Sequence, residues 1–224
     1  MTAVAVGAAE VHLATVLTGE EAARCAATVL DPPPEVRAAC WSEAPDLTTI
    51  GEPVYRNRER PEYYEERARA TNRLLYGRYR DLYDRVAALF EDRYGEPVAF
   101  VDRLAIPGFH LMRYAEPGTY QGGGWHLDEL ARQVPYFVEH AGEVTGILNF
   151  TLPLAVPSGG TGMDLVDDRT GEELHIPYEP GVMLFNEQEV RHRIGCSTSL
   201  VPGECRLTLQ GHGVRFRGRV LLFW

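Results

Sequence analysis

The sequence predicts a mainly β protein, a sandwich or jelly roll, with helices in its N-terminal part. Three observations predict it. After Pro97 the chain runs as short apolar segments of four to eight residues, parted by Gly and Pro about every ten residues, which is the texture of an antiparallel sandwich. Before Pro97 two stretches carry helical signals instead. The 224 residues are 45% apolar with no long low-complexity stretch, enough for one full core.

Taken in order, the first element is a helix. Thr18-Gly19-Glu20-Glu21 is a capping box ahead of an Ala-rich run, so a helix extends to Leu30 and stops at Pro32-Pro33-Pro34. Residues 43–60 are rich in Pro, Gly and charge and read as a connecting loop. From Pro61 a long helix begins, with proline favoured in the first turn. Leu75, Tyr79, Leu82, Val86 and Leu89 form its apolar stripe, at the steps of three and four that a buried helix face needs. Its tyrosines are read as core. Tyr94-Gly95 ends it, glycine being the usual stop.

Strands are then expected over 98–102, 108–114, 145–152, 162–167, 172–176, 181–185, 205–211 and 218–223, with residues 129–142 a short helix or an insertion over the mouth of the site. The chain thus divides into an N-terminal helical extension, 1–96, packed on a β core, 97–224, as one structural unit.

Chemistry concentrates at Trp125-His126-Leu127-Asp128-Glu129. Residues two apart on a strand share a face, so His126 and Asp128 can grip one metal ion. Of the seven histidines only His126 stands in a His-x-Asp sequence. Alone the tripeptide is weak, since most such pairs are a solvated imidazole beside a solvated carboxylate. His192 strengthens it. It follows a turn and apolar strand, Pro180-Gly181-Val182-Met183-Leu184-Phe185, and precedes a strand that opens with Cys205-Arg206. Two histidines and one carboxylate form a facial triad that leaves metal positions open. An arginine nearby can hold a carboxylate through two parallel hydrogen bonds.

The run Leu111-Met112-Arg113-Tyr114-x-x-x-Gly118, then His126-x-Asp128, Gly159-Gly160-Thr161, Pro180 to Phe185, His192 and Arg206 resembles the Fe(II)- and 2-oxoglutarate-dependent oxygenases, nearest the prolyl-4-hydroxylase-like branch. The resemblance spans roughly residues 98–224, and the order of its motifs is more specific than any one of them. It implies a double-stranded β-helix (a jelly roll, cupin-like) supported by the long helix, with Fe(II), 2-oxoglutarate and O2 as cofactors. His126, Asp128 and His192 would be the catalytic iron ligands and Arg206 the anchor for the distal carboxylate of 2-oxoglutarate. Tyr114 and Asn149 occupy places from which members contact the cosubstrate, and Thr208 is grouped with them. The interval from His192 to Arg206 is longer than the pattern expects, which keeps Arg193 and Arg215 as rivals; Arg215 lies beyond a Gly-His-Gly interruption and is the weaker.

The implied reaction is hydroxylation of an unactivated C–H bond with release of succinate and CO2. Asp128 disfavours halogenation, which in relatives uses a small residue at that place. Desaturation, cyclisation and inversion use the same residues. For substrate, Trp125 and Glu129 flank the metal pair, while Asp102, Arg103 and Asp164 lie near strand ends. Both charge signs and an aromatic wall suit a small zwitterion, a free amino acid or its derivative; a peptidyl or carrier-bound substrate is the alternative. Rivals of other classes are a cupin-like metal-binding or isomerase module, which would not need Arg206, and a zinc hydrolase, which more often uses a helical His-x-x-x-His pair that this sequence lacks.

A net charge of -10 opposes nucleic acid as partner, because phosphate binding needs clustered cations. Every cation is Arg, which excludes lysine chemistry and requires any carboxylate anchor to be arginine. The cysteines at 25, 40, 196 and 205 form no Cys-x-x-Cys, as suits free thiols in a reducing compartment. No basic signal-peptide start and no apolar stretch of about 20 residues is present. The expectation is a cytoplasmic enzyme of a small molecule, free of membrane, with its oligomeric state open.

Overall fold

The long helix and the strands of the main sheet follow the apolar periodicity in the computed structural model, which describes residues 1–6, 9–44, 47–57, 59–60, 63–101, 103–113, 118–120, 123–129 and 132–224. In chain order the elements are β1 (Thr2–Val6), β2 (Ala9–Thr15), α1 (Gly19–Leu30), α2 (Pro34–Cys40), β3 (Trp41–Ser42), β4 (Thr48–Ile50) and α3 (Val54–Asn57). A π-turn at Tyr63–Arg67 leads into α4 (Ala68–Tyr94), followed by β5 (Val98–Phe100), β6 (Gly108–Arg113), β7 (Gly118–Tyr120) and α5 (Pro135–Glu139). The remainder is β8 (Val144–Ala155), β9 (Gly162–Val166), β10 (Glu173–Pro177), β11 (Val182–Asn186), β12 (Arg191–Ile194), β13 (Ser197–Leu200), β14 (Cys205–Phe216) and β15 (Arg219–Phe223). Each of the eight expected strands forms.

Both predicted helices form for the stated reasons. The Thr18 hydroxyl accepts from the Glu21 amide at 3.2 Å, and the Glu21 carboxylate accepts from the Thr18 amide at 2.8 Å. Along α4, Leu75, Tyr79, Leu82 and Val86 are buried as the stripe requires; Phe90 is the buried residue of the last turn and Leu89 only half-buried. Gly95 ends α4 with a φ of 63°, a left-handed conformation cheap only for glycine. Pro61, where this helix was expected to begin, lies outside the described residues.

The main sheet runs β1-β2-β11-β8-β14-β6-β4-β3, with β15 on β14 and β5 parallel to β15; β10-β9-β12 form a second sheet. Alternation assigns the faces. Leu148, Phe150, Leu152, Leu154, Leu207, Leu209, Phe109 and Leu111 share one core with α1, α2 and α4. The intervening positions, among them Asn149, Arg206, Thr208, His212 and His110, carry polar groups and face the other way. Across that inner space Val11 and Leu184 of the main sheet join Leu165 of β9 and Ile176 of β10 in a second core. This is the two-sheet jelly roll, a double-stranded β-helix, backed by helices.

The first 96 residues hold strands as well as helices. The β1–β2 hairpin adds to the sheet through β2 and β11, and β4 pairs with β6. Residues 43–60, read as a loop, carry β4 and α3. The proline run that stops α1 also starts α2, with Pro34 at its first position, where a missing N–H costs nothing. β14 continues through Gly211-His212-Gly213 because a Cβ at 211 would sit 2.5 Å from Phe150, and at 213 2.8 Å from Leu148. Those glycines admit close packing; they do not break the strand.

Gly108 is the tightest such point. A Cβ there would lie 2.0 Å from the Trp224 ring and 2.8 Å from the Ile50 carbonyl. Gly108→Ala is expected to destabilise by about 3 kcal/mol, lowering Tm by roughly 6–12 °C; an unchanged melting curve would mean that Trp224 does not lodge against β6.

Candidate metal centre

Two backbone hydrogen bonds bring the first and last of the three ligand candidates together. His126 N–H donates to His192 C=O and His192 N–H to His126 C=O, each at 2.9 Å, an antiparallel bridge between the 123–129 segment and β12. Residues directly opposite on such a bridge point the same way, and the two imidazole centroids lie 4.4 Å apart. Asp128 joins them: its Oδ1 is 3.9 Å from His126 Nε2 and its Oδ2 3.4 Å from His192 Nε2. One ligand atom from each of the three lies within 4.8 Å of the others.

The imidazoles are locked from behind. His126 Nδ1 is 2.8 Å from the Gly124 carbonyl and His192 Nδ1 2.8 Å from the Val190 carbonyl. A carbonyl only accepts, so each Nδ1 carries a proton and each Nε2 faces Asp128. That outer shell is what metal-binding histidines require. Burial would raise the Asp128 carboxyl, but the His192 hydrogen bond and neighbouring imidazoles outweigh it and hold the group well below the carboxylate range. Burial alone would lower His192, and its bond to Asp128 raises it instead. Bound metal would replace the proton between them, so binding strengthens with pH.

The triad opens into a cavity of 430 Å³ between the two sheets, within the range of small-ligand sites. Arg206 lies in its wall with 0% exposure. Its Nη1 reaches the Met112 sulfur at 3.5 Å and its Nη2 the Tyr178 hydroxyl at 3.4 Å, while Nε has no partner among the described residues. Neither partner carries charge. A buried guanidinium without an anion costs several kcal/mol. Beside it the Thr208 hydroxyl is buried and also without a partner among the described residues. His110, across the strand pair from Thr208, does not offset that charge: burial, then Arg206 and Arg56, push its imidazole down to about 3. Burial lowers His212 likewise, and its Nδ1 bonds Asn149 Oδ1 at 2.7 Å.

These donors fit a hard or borderline divalent ion with vacant positions, and the buried guanidinium in the cavity wall fits a carboxylate. Searches by sequence find no match among family models or curated proteins. Solved structures do match. An oxidoreductase of the 2OG-Fe(II) oxygenase family from Burkholderia pseudomallei superposes over 93% of this chain and 86% of its own, with TM-score 0.51 and 13% identity. The fold is that of the 2OG-Fe(II) oxygenases. The α-ketoglutarate-dependent epimerase SnoN of nogalamycin biosynthesis (93% and 81% covered, 16% identity, TM-score 0.48) and a Pseudomonas putida prolyl-4-hydroxylase (93% and 93%, 17%, 0.40) are more distant likenesses.

The rivals of Arg206 are occupied elsewhere. Arg193 Nε bonds Asp164 at 3.0 Å and its guanidinium stacks 4.2 Å over Trp125; Arg215 pairs with Glu96 through Nε at 3.2 Å. The extra length between His192 and Arg206 is β13, which pairs with β7. Asn149 and Glu129 line the cavity. Asp164 does not. Its oxygens bond His175 Nδ1 at 2.7 Å and Arg193, so it braces the Arg193–Trp125 stack behind the site. Tyr114 and Asp102 lie outside the described residues. The sequence reading missed Tyr55, His110, Tyr178, Gln210 and His212, all in the cavity wall. The alternation Arg206-x-Thr208-x-Gln210-x-His212 carried two of them: polar groups every second residue on an otherwise apolar strand. Tyr55, bonded to His110 at 3.0 Å, comes from the segment taken for a mere connection.

Proposed function

We propose that this chain is an Fe(II)- and 2-oxoglutarate-dependent oxygenase that hydroxylates a C–H bond of a small molecule, a free amino acid or its derivative. One observation carries the reading: a three-ligand cluster and a fully buried arginine, without a carboxylate partner among the described residues, face one cavity. His126, Asp128 and His192 would hold the iron, and Arg206 with Thr208 the distal carboxylate of 2-oxoglutarate. Iron, cosubstrate and O2 together supply the oxidising power, with succinate and CO2 released.

The protein's own part is arrangement. The Gly124 and Val190 carbonyls fix both imidazoles with Nε2 forward, so binding requires little reorganisation. Tyr178 and Met112 hold the guanidinium in one orientation without neutralising it, leaving its charge for an anion. Burial keeps His110 and His212 from adding cationic charge beside Arg206. Asn149, with its Oδ1 taken by His212, is oriented beside them. Glu129, in the cavity wall, would meet the ammonium of an amino acid. We propose too that residues 1–96 and 97–224 act as one unit, since α1, α2 and α4 share the core of β6, β8 and β14 and α3 supplies Tyr55. Among the described residues no helix is long and apolar enough to cross a membrane.

The experiment is an anaerobic titration with Fe(II) and then 2-oxoglutarate, followed in the visible. A weak metal-to-ligand charge-transfer band should grow with 2-oxoglutarate in the native protein. Iron binding with no band on addition of 2-oxoglutarate would overturn the reading in favour of a cupin-like metal site.

A further inference from the structure

We propose that the chain has a second small-molecule site, for an amphiphilic organic anion, in a separate cavity of 670 Å³ beside α5 and the β14–β15 hairpin. The proposal is independent of the oxygenase reading. The cavity's floor is apolar and closed: Leu104, Val134 and Phe216 are all but fully buried. Its rim is cationic, with Arg103, Arg217 and Arg219. Strand register joins the two. Arg219 pairs with Phe216 across the hairpin, and Leu221, two residues on, shares Arg219's face. One strand therefore presents a cation outside and an apolar surface within.

The three arginines are not equivalent. Arg217 sits at the hairpin turn with φ 51°, a conformation that costs a non-glycine residue about 1 kcal/mol or more. Its Nη2 is held by Glu143 at 2.6 Å and its guanidinium lies 4.8 Å from the Phe216 ring. Arg103 and Arg219 have no ion-pair partner among the described residues, and Glu139, the carboxylate in the wall, pairs with neither. Two cations without an ion-pair partner among the described residues, above an apolar floor, match an anionic head on an aromatic or aliphatic body. The surface agrees. Tyr136 of α5, a residue of the cavity wall, is 42% exposed. Val134 follows Gln133, which lines the metal cavity, so one segment bounds both spaces.

The test is a fluorescence titration with anilinonaphthalene sulfonate, an aromatic monoanion, repeated with Fe(II) and saturating 2-oxoglutarate under nitrogen. Saturable one-to-one binding is expected, unaffected by 2-oxoglutarate and by Arg206→Ala. It should weaken about tenfold or more in Arg103→Glu/Arg219→Glu and for the uncharged analogue N-phenylnaphthylamine. Both arginines are exposed, so the double variant keeps the fold, which circular dichroism checks. Undiminished binding by the double variant, or displacement by 2-oxoglutarate, overturns the proposal; the latter would put the probe in the metal cavity.

Discussion

His126→Ala, Asp128→Ala and His192→Ala should each abolish iron-dependent turnover, by about a thousandfold or more, while leaving the fold in place. The size follows from the ion's role, since a metal centre contributes several kcal/mol to the transition state and each 1.4 kcal/mol is tenfold in rate. Survival of the fold follows from where the ligands sit. Their side chains are 48%, 28% and 13% exposed, and none belongs to an apolar core. The bridge between residues 126 and 192 is made by backbone atoms, which alanine retains. Succinate release under saturating Fe(II) and 2-oxoglutarate, measured beside a melting curve, checks both halves. A variant that keeps full activity would remove its residue from the ligand set.

Arg206→Met should weaken 2-oxoglutarate about a hundredfold or more and at the same time raise the melting temperature of the ligand-free protein. The two effects share one cause. Without cosubstrate the guanidinium's partners among the described residues are a thioether and a phenol, and replacing a buried, uncompensated charge with an apolar side chain of similar length is neutral or stabilising by about 1–4 kcal/mol. With cosubstrate, loss of a buried hydrogen-bonded charge partner costs about 2–5 kcal/mol. The native protein should therefore gain stability from iron and 2-oxoglutarate, and the variant should gain little from the second. Thermal melts under nitrogen read the shift, and the charge-transfer titration reads the affinity. A variant that melts lower without ligand and binds 2-oxoglutarate normally would leave Arg206 a packing residue.

The sequence is informative wherever one residue type does one job. The Thr18 box, the α4 stripe and the Gly95 stop each depend on contacts within a few residues, and all form. The strands flanked by Gly and Pro form for the same reason. β12 was missed because Arg191-His192-Arg193-Ile194 has nothing apolar to alternate until its end; it is a strand because β9 pairs with it and because its polar side chains have work on both faces. β2 was legible in principle, since Val11 and Leu13 alternate with Glu10 and His12, but an Ala-rich start hid it. The three ligand candidates that the structure brings together were readable from spacing and order. The cavity wall was not, because His110, Tyr178 and Tyr55 come from three elements far apart in the chain, and only their meeting gives them a function. Asp164 shows the converse: a carboxylate of the right type near a strand end, facing away from the cavity.

The bridge between His126 and His192 also bears on how the protein holds its shape. It consists of two hydrogen bonds joining segments 66 positions apart, an isolated bridge among the described residues. An ion gripped by His126, Asp128 and His192 would act as a staple across that seam, closing a long chain loop much as a disulfide does. Iron would then be a fastener as well as a reagent, and chelating it would loosen the 123–129 strap before it touched the core.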